Sequence, residues 1–321
     1  MVQADSRPAK KSLVGARRRQ KLLAGIRGTL IKLILFIMLL GFAYVILYPF
    51  LFKIMASFMS EQDLYDPMVS LVPRDWTLDN YRTALGMDNF SAAAFNTVLY
   101  AVVVACCATA SSALIGYGLA RFRFPGSRLI AVLVVLTMMT PIQTISLPLF
   151  STFRFFDVFG IIEAVRGEAL QLTNTIWPMV ILSATGLGFR AGMFIILMRQ
   201  YYKSIPGELV EAAYVDGAGP FYTFFRIILP MARTMMVVVF VLSFAWQWTD
   251  TFYTGLLMGG QPMLPNLILT MCTGSGDNSQ MYYQYVLANT AALLTIIPLL
   301  LIYVLLQRKI IQGIETSGLV G

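Results

Sequence analysis

The chain has 321 residues, of which 58% are hydrophobic and only 12% charged, with a mean hydropathy of +0.72. Soluble domains hold about 45–50% apolar and about 25% charged residues, so this composition excludes a water-soluble globular protein and requires lipid as a solvent. The net charge of +8 accords with lysine and arginine concentrated in cytoplasmic loops, and without an RNA-binding signature it gives no support to nucleic-acid binding.

In chain order, residues 1–32 form a basic cytoplasmic segment carrying Arg7, Lys10, Lys11, Arg17, Arg18, Arg19, Lys21, Arg27 and Lys32. A membrane helix needs roughly 20 mainly apolar residues, and six stretches qualify: 33–52, 95–119, 129–150, 175–198, 231–255 and 286–306. The first is longer than the roughly 7–15 residues of a signal-peptide core, so it reads as an uncleaved span. Arg121, Arg123 and Arg128 join spans two and three. Arg199, Lys203, Arg226 and Arg233 surround the connection from four to five, and Arg308 and Lys309 lie in the tail 307–321. By the positive-inside rule both termini are cytoplasmic, as an even number of spans requires. The protein is therefore expected in the cell (plasma or inner) membrane.

On the outer side, residues 53–94, with Pro67, Pro73, Trp76 and several acids, suit an ordered extracytoplasmic loop. Residues 256–285 are rich in Gly, Pro, Asn and Gln, which is loop chemistry. The stretch 151–174 is too polar for lipid and is expected to form a short surface helix. Histidine is absent. Cys106 and Cys107 sit side by side in an apolar run and Cys272 lies in a loop, so neither a disulfide framework nor a metal site is implied.

Between spans four and five the chain reads Ser204-Ile-Pro-Gly-Glu-Leu-Val-Glu-Ala-Ala-Tyr-Val-Asp-Gly217-Ala-Gly-Pro220. Ser204 is a plausible N-cap, Pro206 fits a first helical turn, and Glu208 lies near the positive end of the dipole. Gly217 and Gly219 supply a stop, and Pro220 can start another helix. Ile205, Leu209, Ala212, Ala213 and Asp216 recur at helical spacing and predict one face. Residues 221–229 form an aromatic-rich amphipathic piece before Pro230. Local physics alone favours an interfacial helix lying on the membrane over a docking helix.

The segment resembles the EAA motif of binding-protein-dependent importer permeases of the ATP-binding cassette class. Glu211, Ala212, Ala213, Gly217, Ile227, Leu229 and Pro230 match its places at its fixed gaps, with Asp216 and Ala218 as in the sugar-importing branch. Most of the chain shares the likeness to maltose-type permeases: Trp76-Thr-Leu-Asp-Asn-Tyr81, Asn96-Thr97, Tyr117-Gly-Leu-Ala-Arg-Phe-Arg-Phe-Pro-Gly126, Trp246-Gln-Trp-Thr-Asp250 and Gln307-Arg-Lys-Ile-Ile-Gln-Gly313. Residues 163–172 look like an insertion, and Val320 stands where the family has lysine, so no tail contact is assigned.

The resemblance implies an all-α, six-span type I importer permease with its core at 95–306 and a coupling helix within the cytoplasmic loop 204–230. Such a subunit does no chemistry and needs no cofactor. It forms half of a sugar pathway, most simply for oligosaccharides, with a second homologous permease. Its other partners are a dimer of ATP-binding cassette ATPases and an extracytoplasmic substrate-binding protein. The chain has no Gly-x-x-x-x-Gly-Lys-Ser/Thr loop, which fits a separate ATPase. The resemblance carries ATPase coupling onto Glu208, Leu209, Glu211, Ala212, Ala213, Asp216 and Gly217.

Polar groups within spans are costly and usually face a cavity or a partner. Arg190, about 14 Å before Arg199 along a helix, is too deep for lipid contact, and Gly186, Gly188 and Gly192 around it suggest an irregular or closely packed helix. Trp246, Gln247, Trp248 and Asp250 combine stacking surfaces with hydrogen-bonding groups suited to sugars, and Gln143 beside Pro141 is a weaker candidate for the path. Equally, the tryptophans could pack between helices and Arg190 could pair with Asp250 for structure alone. An ion-coupled secondary transporter is the main alternative; it requires a mid-membrane ion site and often inverted repeats. An enzyme acting on lipid-linked sugar would need paired acids or a metal cluster, and a scaffold would not need charges inside spans.

Overall fold

The computed structural model describes residues 8–272 and 278–318. Arg7 of the basic segment, residues 273–277 of the outer loop and Val320 lie outside the described residues. The chain divides into two units, Met1–Thr77 and Leu78–Gly321.

The first unit is built on α1 (Pro8–Ser57), whose segment Gly28–Ser57 is long and apolar enough to cross a membrane. After it the chain folds into a small acid-centred knot around α2 (Glu61–Tyr65). Ser60 caps α2 by accepting the Asp63 N–H. The buried Asp63 carboxylate accepts the backbone N–H groups of Arg74 (2.9 Å) and Asp75 (3.0 Å). Arg74 pairs with Asp66 at 2.7 Å, and Trp76 bridges back to Met59. One carboxylate thus ties the two ends of a turn that has little apolar surface of its own.

The second unit is helical throughout, and no strand forms among its described residues. Its elements are α3 (Asp79–Leu85), α4 (Phe90–Arg121), α5 (Ser127–Met139), α6 (Ile142–Arg154), α7 (Ile161–Arg166), α8 (Trp177–Ala184), α9 (Ala191–Ser204) and α10 (Glu208–Val215). There follow α11 (Pro220–Tyr222), a π-helical turn Thr223–Ile228, α12 (Leu229–Met231), α13 (Arg233–Trp248), α14 (Phe252–Leu257), α15 (Leu264–Cys272) and α16 (Asn278–Gly318). The centre is α4, which packs along α9 and α13 and also meets α8 and α15; α16 closes the other side of α13.

A stripe of small residues at helical spacing lets α4 take this place: Ala93, Thr97, Ala101, Ala105, Ala108, Ser112 and Gly116 are all buried. Thr97 and Thr109 return their hydroxyls to the carbonyls four residues back, each at 2.7 Å, so they cost little in an apolar setting. At Gly116 the approach is closest: a Cβ there would lie 2.7 Å from the Met198 Cβ and 3.0 Å from the Arg199 nitrogen. Gly116→Val is therefore expected to push α4 off α9 and destabilise the fold by about 1–3 kcal/mol. A lowered thermal midpoint in detergent checks this; an unchanged midpoint would mean that the two helices are free to separate.

Among the described residues three helices are each long and apolar enough to cross a membrane: Gly28–Ser57, Phe90–Arg121 and Tyr282–Gln312. Two bent pairs raise the number to five. The continuous helix expected at 129–150 is instead α5 and α6, bent by 102°. Thr140 is extended because it precedes Pro141, which disfavours helical backbone at that residue. The helix expected at 175–198 is likewise interrupted, between α8 and α9 at residues 185–190. The helix expected at 231–255 stops at Trp248, and at its start a bend of 73° follows Pro230. The stretch 151–174 does contain a short exposed helix, α7, and a bridge pairs Phe156 with Leu170.

Candidate functional site

The connection between α9 and α13 is held by anchors at both ends. Ser204 is not the N-cap of α10: it is the last residue of α9, and its hydroxyl donates to the Tyr201 carbonyl at 2.7 Å. Ile205 is extended, and Gly207 takes the N-cap position without a side-chain bond. At the far end the Ala218 N–H donates to the Ala213 carbonyl and the Gly217 N–H to the Tyr214 carbonyl. This paired closure needs a left-handed residue, which Gly217 provides with φ 82°.

The face expected at helical spacing is divided between a buried and an exposed side. Ile205 and Val210 pack against the core shared by α4, α9 and the π-helical turn, and Ala213 is buried. Leu209, Ala212 and Asp216 point out, with Glu208, Glu211 and Gly217 also exposed. Six of the seven residues assigned to coupling thus lie on the surface, and Ala213 is their inward anchor. Val215, 88% exposed, and Phe221, 80% exposed, extend this surface with apolar area outside the motif.

Three contacts hold the connection to the rest of the unit. The Arg121 guanidinium donates to the Ile205 carbonyl, Arg199 Nε donates to the Leu119 carbonyl at 3.3 Å, and the Tyr201 hydroxyl donates to the Met231 carbonyl at 2.9 Å. Beneath them the Tyr117 ring lies 4.6 Å from Phe224, 5.5 Å from Tyr202 and 5.7 Å from Phe122. The motif at residues 117–126 is therefore the bracket on which α10 is mounted.

Within the membrane-spanning part, the interrupted helices leave a cavity of about 540 Å³ lined by residues of α5 and α6, the segment 186–192 and Tyr253. Arg190 lines it. Its backbone is left-handed (φ 57°), and its guanidinium carbon sits 4.3 Å from the Trp246 ring centroid and 5.2 Å from that of Phe189. Phe194 and Phe189 flank the same indole. Gln143 is exposed on α6 and does not line the cavity.

Gln247, Trp248 and Asp250 belong to a separate, buried framework. The Tyr100 hydroxyl donates to Gln247 Oε1 at 2.7 Å and lies 3.3 Å from Asp250 Oδ2. Asp250 accepts the backbone N–H groups of Tyr253 (3.2 Å) and Thr254 (2.9 Å), capping α14. Trp248 Nε1 donates to the Thr295 carbonyl of α16 at 2.9 Å. The Arg190–Asp250 pair considered from sequence is not formed. Of the six candidates for the path, only Arg190 lines the cavity, with Trp246 stacked on it from outside the lining, and Gln247, Trp248 and Asp250 lie in helix-to-helix bonding. Tyr100→Phe is expected to cost about 1–2 kcal/mol by leaving Gln247 Oε1 without its donor, read as a lower thermal midpoint with assembly retained.

Sequence reasoning missed Tyr100, an ordinary member of an apolar run whose only signal is one hydroxyl in a helix of small residues. It also gave no role to Asn96 and Thr97. Asn96 donates to the Pro262 carbonyl at 3.1 Å and Thr97 accepts the Leu264 N–H at 2.9 Å, while Asn174 Oδ1 accepts the Gly260 N–H at 2.9 Å. These bonds hold the connection between α14 and α15 against α4 and the segment leading into α8. Among the described residues no cluster of Cys, Asp or Glu side chains could hold a metal ion.

Residues 112–316 match the family described as the binding-protein-dependent transport system inner membrane component. The sn-glycerol-3-phosphate transport system permease protein UgpE of Brucella abortus is 29% identical over 289 residues, 88% of this chain and 95% of the relative. The diacetylchitobiose uptake system permease protein NgcG of Streptomyces coelicolor is 29% identical over 279 residues, 87% and 85% of the two chains. The arabinooligosaccharides transport system permease protein AraQ of Halalkalibacterium halodurans is 28% identical over 284 residues, 87% and 93% of the two chains. A chain from the crystal structure of a bacterial ABC transporter involved in import of the acidic polysaccharide alginate superposes with a TM-score of 0.65 at 20% identity, covering 96% of this chain and 99% of that one.

Proposed function

This chain belongs to the family of binding-protein-dependent transport system inner membrane components, a multi-pass membrane transport subunit, and on that footing we propose that it imports a sugar or sugar derivative, most simply an oligosaccharide. It forms half of the pathway with a second, homologous permease. An extracytoplasmic binding protein delivers the substrate, and ATP is hydrolysed by a separate cytoplasmic ATPase pair. Six crossings, the fourth broken between α8 and α9, leave both termini in the cytoplasm. Glycerol 3-phosphate, diacetylchitobiose and arabinooligosaccharides in the relatives' names support a polyhydroxylated substrate. The family assignment replaces the ion-coupled transporter weighed from sequence.

The observation that carries the reading is the division of α10 into two sides. Val210 packs against the core and Ala213 is buried, while Glu208, Leu209, Glu211, Ala212 and Asp216 stand exposed. A helix bracketed this firmly on one side and bare on the other suits docking into a cleft of the ATPase. Closure of the ATPases on ATP would move α10 as a rigid piece. The Arg121–Ile205 bond and the Tyr117–Tyr202–Phe224 cluster would pass that movement to α4 and α9, and the first residues of α9 line the cavity. ATP thereby biases two discrete arrangements, inward- and outward-facing.

The test is recovery of the tagged chain from its native host in mild detergent. Co-purification of an ATPase and a second permease, with ATP-dependent sugar accumulation after reconstitution, is expected. A chain recovered alone or only as a self-oligomer, with no ATP-dependent uptake, would overturn the reading.

A further inference from the structure

Arg190 has no part in the coupling just described, and its position is expensive. From Ala191 the helix α9 runs 14 residues to Ser204, about 21 Å at roughly 1.5 Å per residue. The hydrocarbon core is about 30 Å thick, so the guanidinium is out of reach of the cytoplasmic headgroups. A cation at that depth is held by a counter-charge or faces a wet cavity.

Among the described residues no carboxylate forms an ion pair with Arg190. Asp250, the acid nearest in sequence to its stacking partner Trp246, is engaged with the N–H groups of Tyr253 and Thr254. What Arg190 has instead is two aromatic faces, Trp246 and Phe189. Stacking of this kind fixes the plane of a guanidinium and offsets part of its lost hydration. It consumes none of the five N–H donors. The cavity that Arg190 lines offers the hydroxyls of Thr137, Thr140 and Tyr253 and otherwise apolar walls at Ile145 and Leu187, with no acid. Its one formal charge is positive.

We propose that this cavity receives a substrate carrying negative charge, a carboxylated or phosphorylated sugar, with Arg190 binding the anion and Phe189 and Tyr253 flanking the sugar. A planar guanidinium matches a carboxylate or phosphate through two parallel N–H···O bonds. Its fixed pose over Trp246 means that little side-chain freedom is lost on binding. This assignment rests on the importer reading and narrows its substrate to an acidic one.

The experiment measures equilibrium binding to the assembled complex in nanodiscs. The probes are trigalacturonate, the neutral trisaccharide made by reducing its carboxylates, and glycerol 3-phosphate. The wild type is expected to bind an anionic probe about 10- to 100-fold more tightly than the neutral one, and less tightly as salt is raised. Arg190→Gln should abolish that preference and Arg190→Lys should restore part of it; co-purification with the ATPase reports that each variant assembles. If Arg190→Gln does not assemble, the wild-type preference for charge and the lysine variant still decide. Equal binding of charged and neutral probes, or no binding of either anionic probe, overturns the proposal. In that case, binding of the neutral trisaccharide by a complex that retains its ATPase leaves the importer reading standing. A chain that recovers no ATPase and binds no probe sinks both.

Discussion

Ala212→Arg should leave the chain folded, inserted and paired with the second permease, yet reduce ATP-driven uptake at least about 100-fold, the effect expected of blocking a central interface residue. Ala212 is exposed on α10 and its neighbours at Glu208, Leu209 and Asp216 are exposed with it, so a longer side chain meets nothing within this chain. In a fitted cleft it would hold the two surfaces apart and bring an uncompensated charge into contact. Uptake into proteoliposomes and the yield of co-purified ATPase are the measurements, with Ala212→Ser as the tolerated control. Normal uptake by Ala212→Arg would sink the docking role of this face.

Asp250→Ala should be among the most damaging single changes to stability, costing about 2–6 kcal/mol, as for two buried donors left unsatisfied at about 1–3 kcal/mol each. Asp250 is 8% exposed and gathers the Tyr253 and Thr254 N–H groups beside the Tyr100 hydroxyl. Alanine would strand two backbone donors at the start of α14 and release the link from α4. Asp250→Asn keeps one acceptor and should fall between Asp250→Ala and Tyr100→Phe in thermal midpoint. An Asp250→Ala midpoint no lower than that of Tyr100→Phe would show that the carboxylate does not organise this junction.

The long apolar runs were legible in the sequence because lipid imposes a length and composition that little else does, and α1, α4 and α16 fall where hydropathy puts them. The interruptions were less so. At Pro141 the apolar run continues on both sides, so composition hid a bend of 102° that the proline rule alone would have flagged. The glycines around Arg190 did signal irregularity, but the left-handed turn falls on Arg190 itself (φ 57°) rather than on a glycine, which no local pattern marks.

The face of α10 was legible only in part. Counting at helical spacing began from Ile205, whereas the helix begins at Glu208 and Ile205 is buried from an extended linker clamped by Arg121. Within the helix Val210 packs on the core and Ala213 is buried, while Leu209, Ala212 and Asp216 are exposed. Trp246, Gln247, Trp248 and Asp250 looked like one polar constellation because they are close in sequence. Helical rotation separates them, sending Trp246 toward Arg190 and the other three into contacts with α4, α14 and α16.

The exposed side of α10 also has a consequence for how variants of this protein are found. Its residues contribute little to the chain's own folding, so a library sorted for expression or heat resistance would pass substitutions other than proline at Leu209, Ala212 and Asp216. If α10 docks on the ATPase as proposed, the same library sorted for growth on the imported nutrient would lose them. Positions that are silent in the first selection and intolerant in the second would outline the partner's footprint without any structure of the partner.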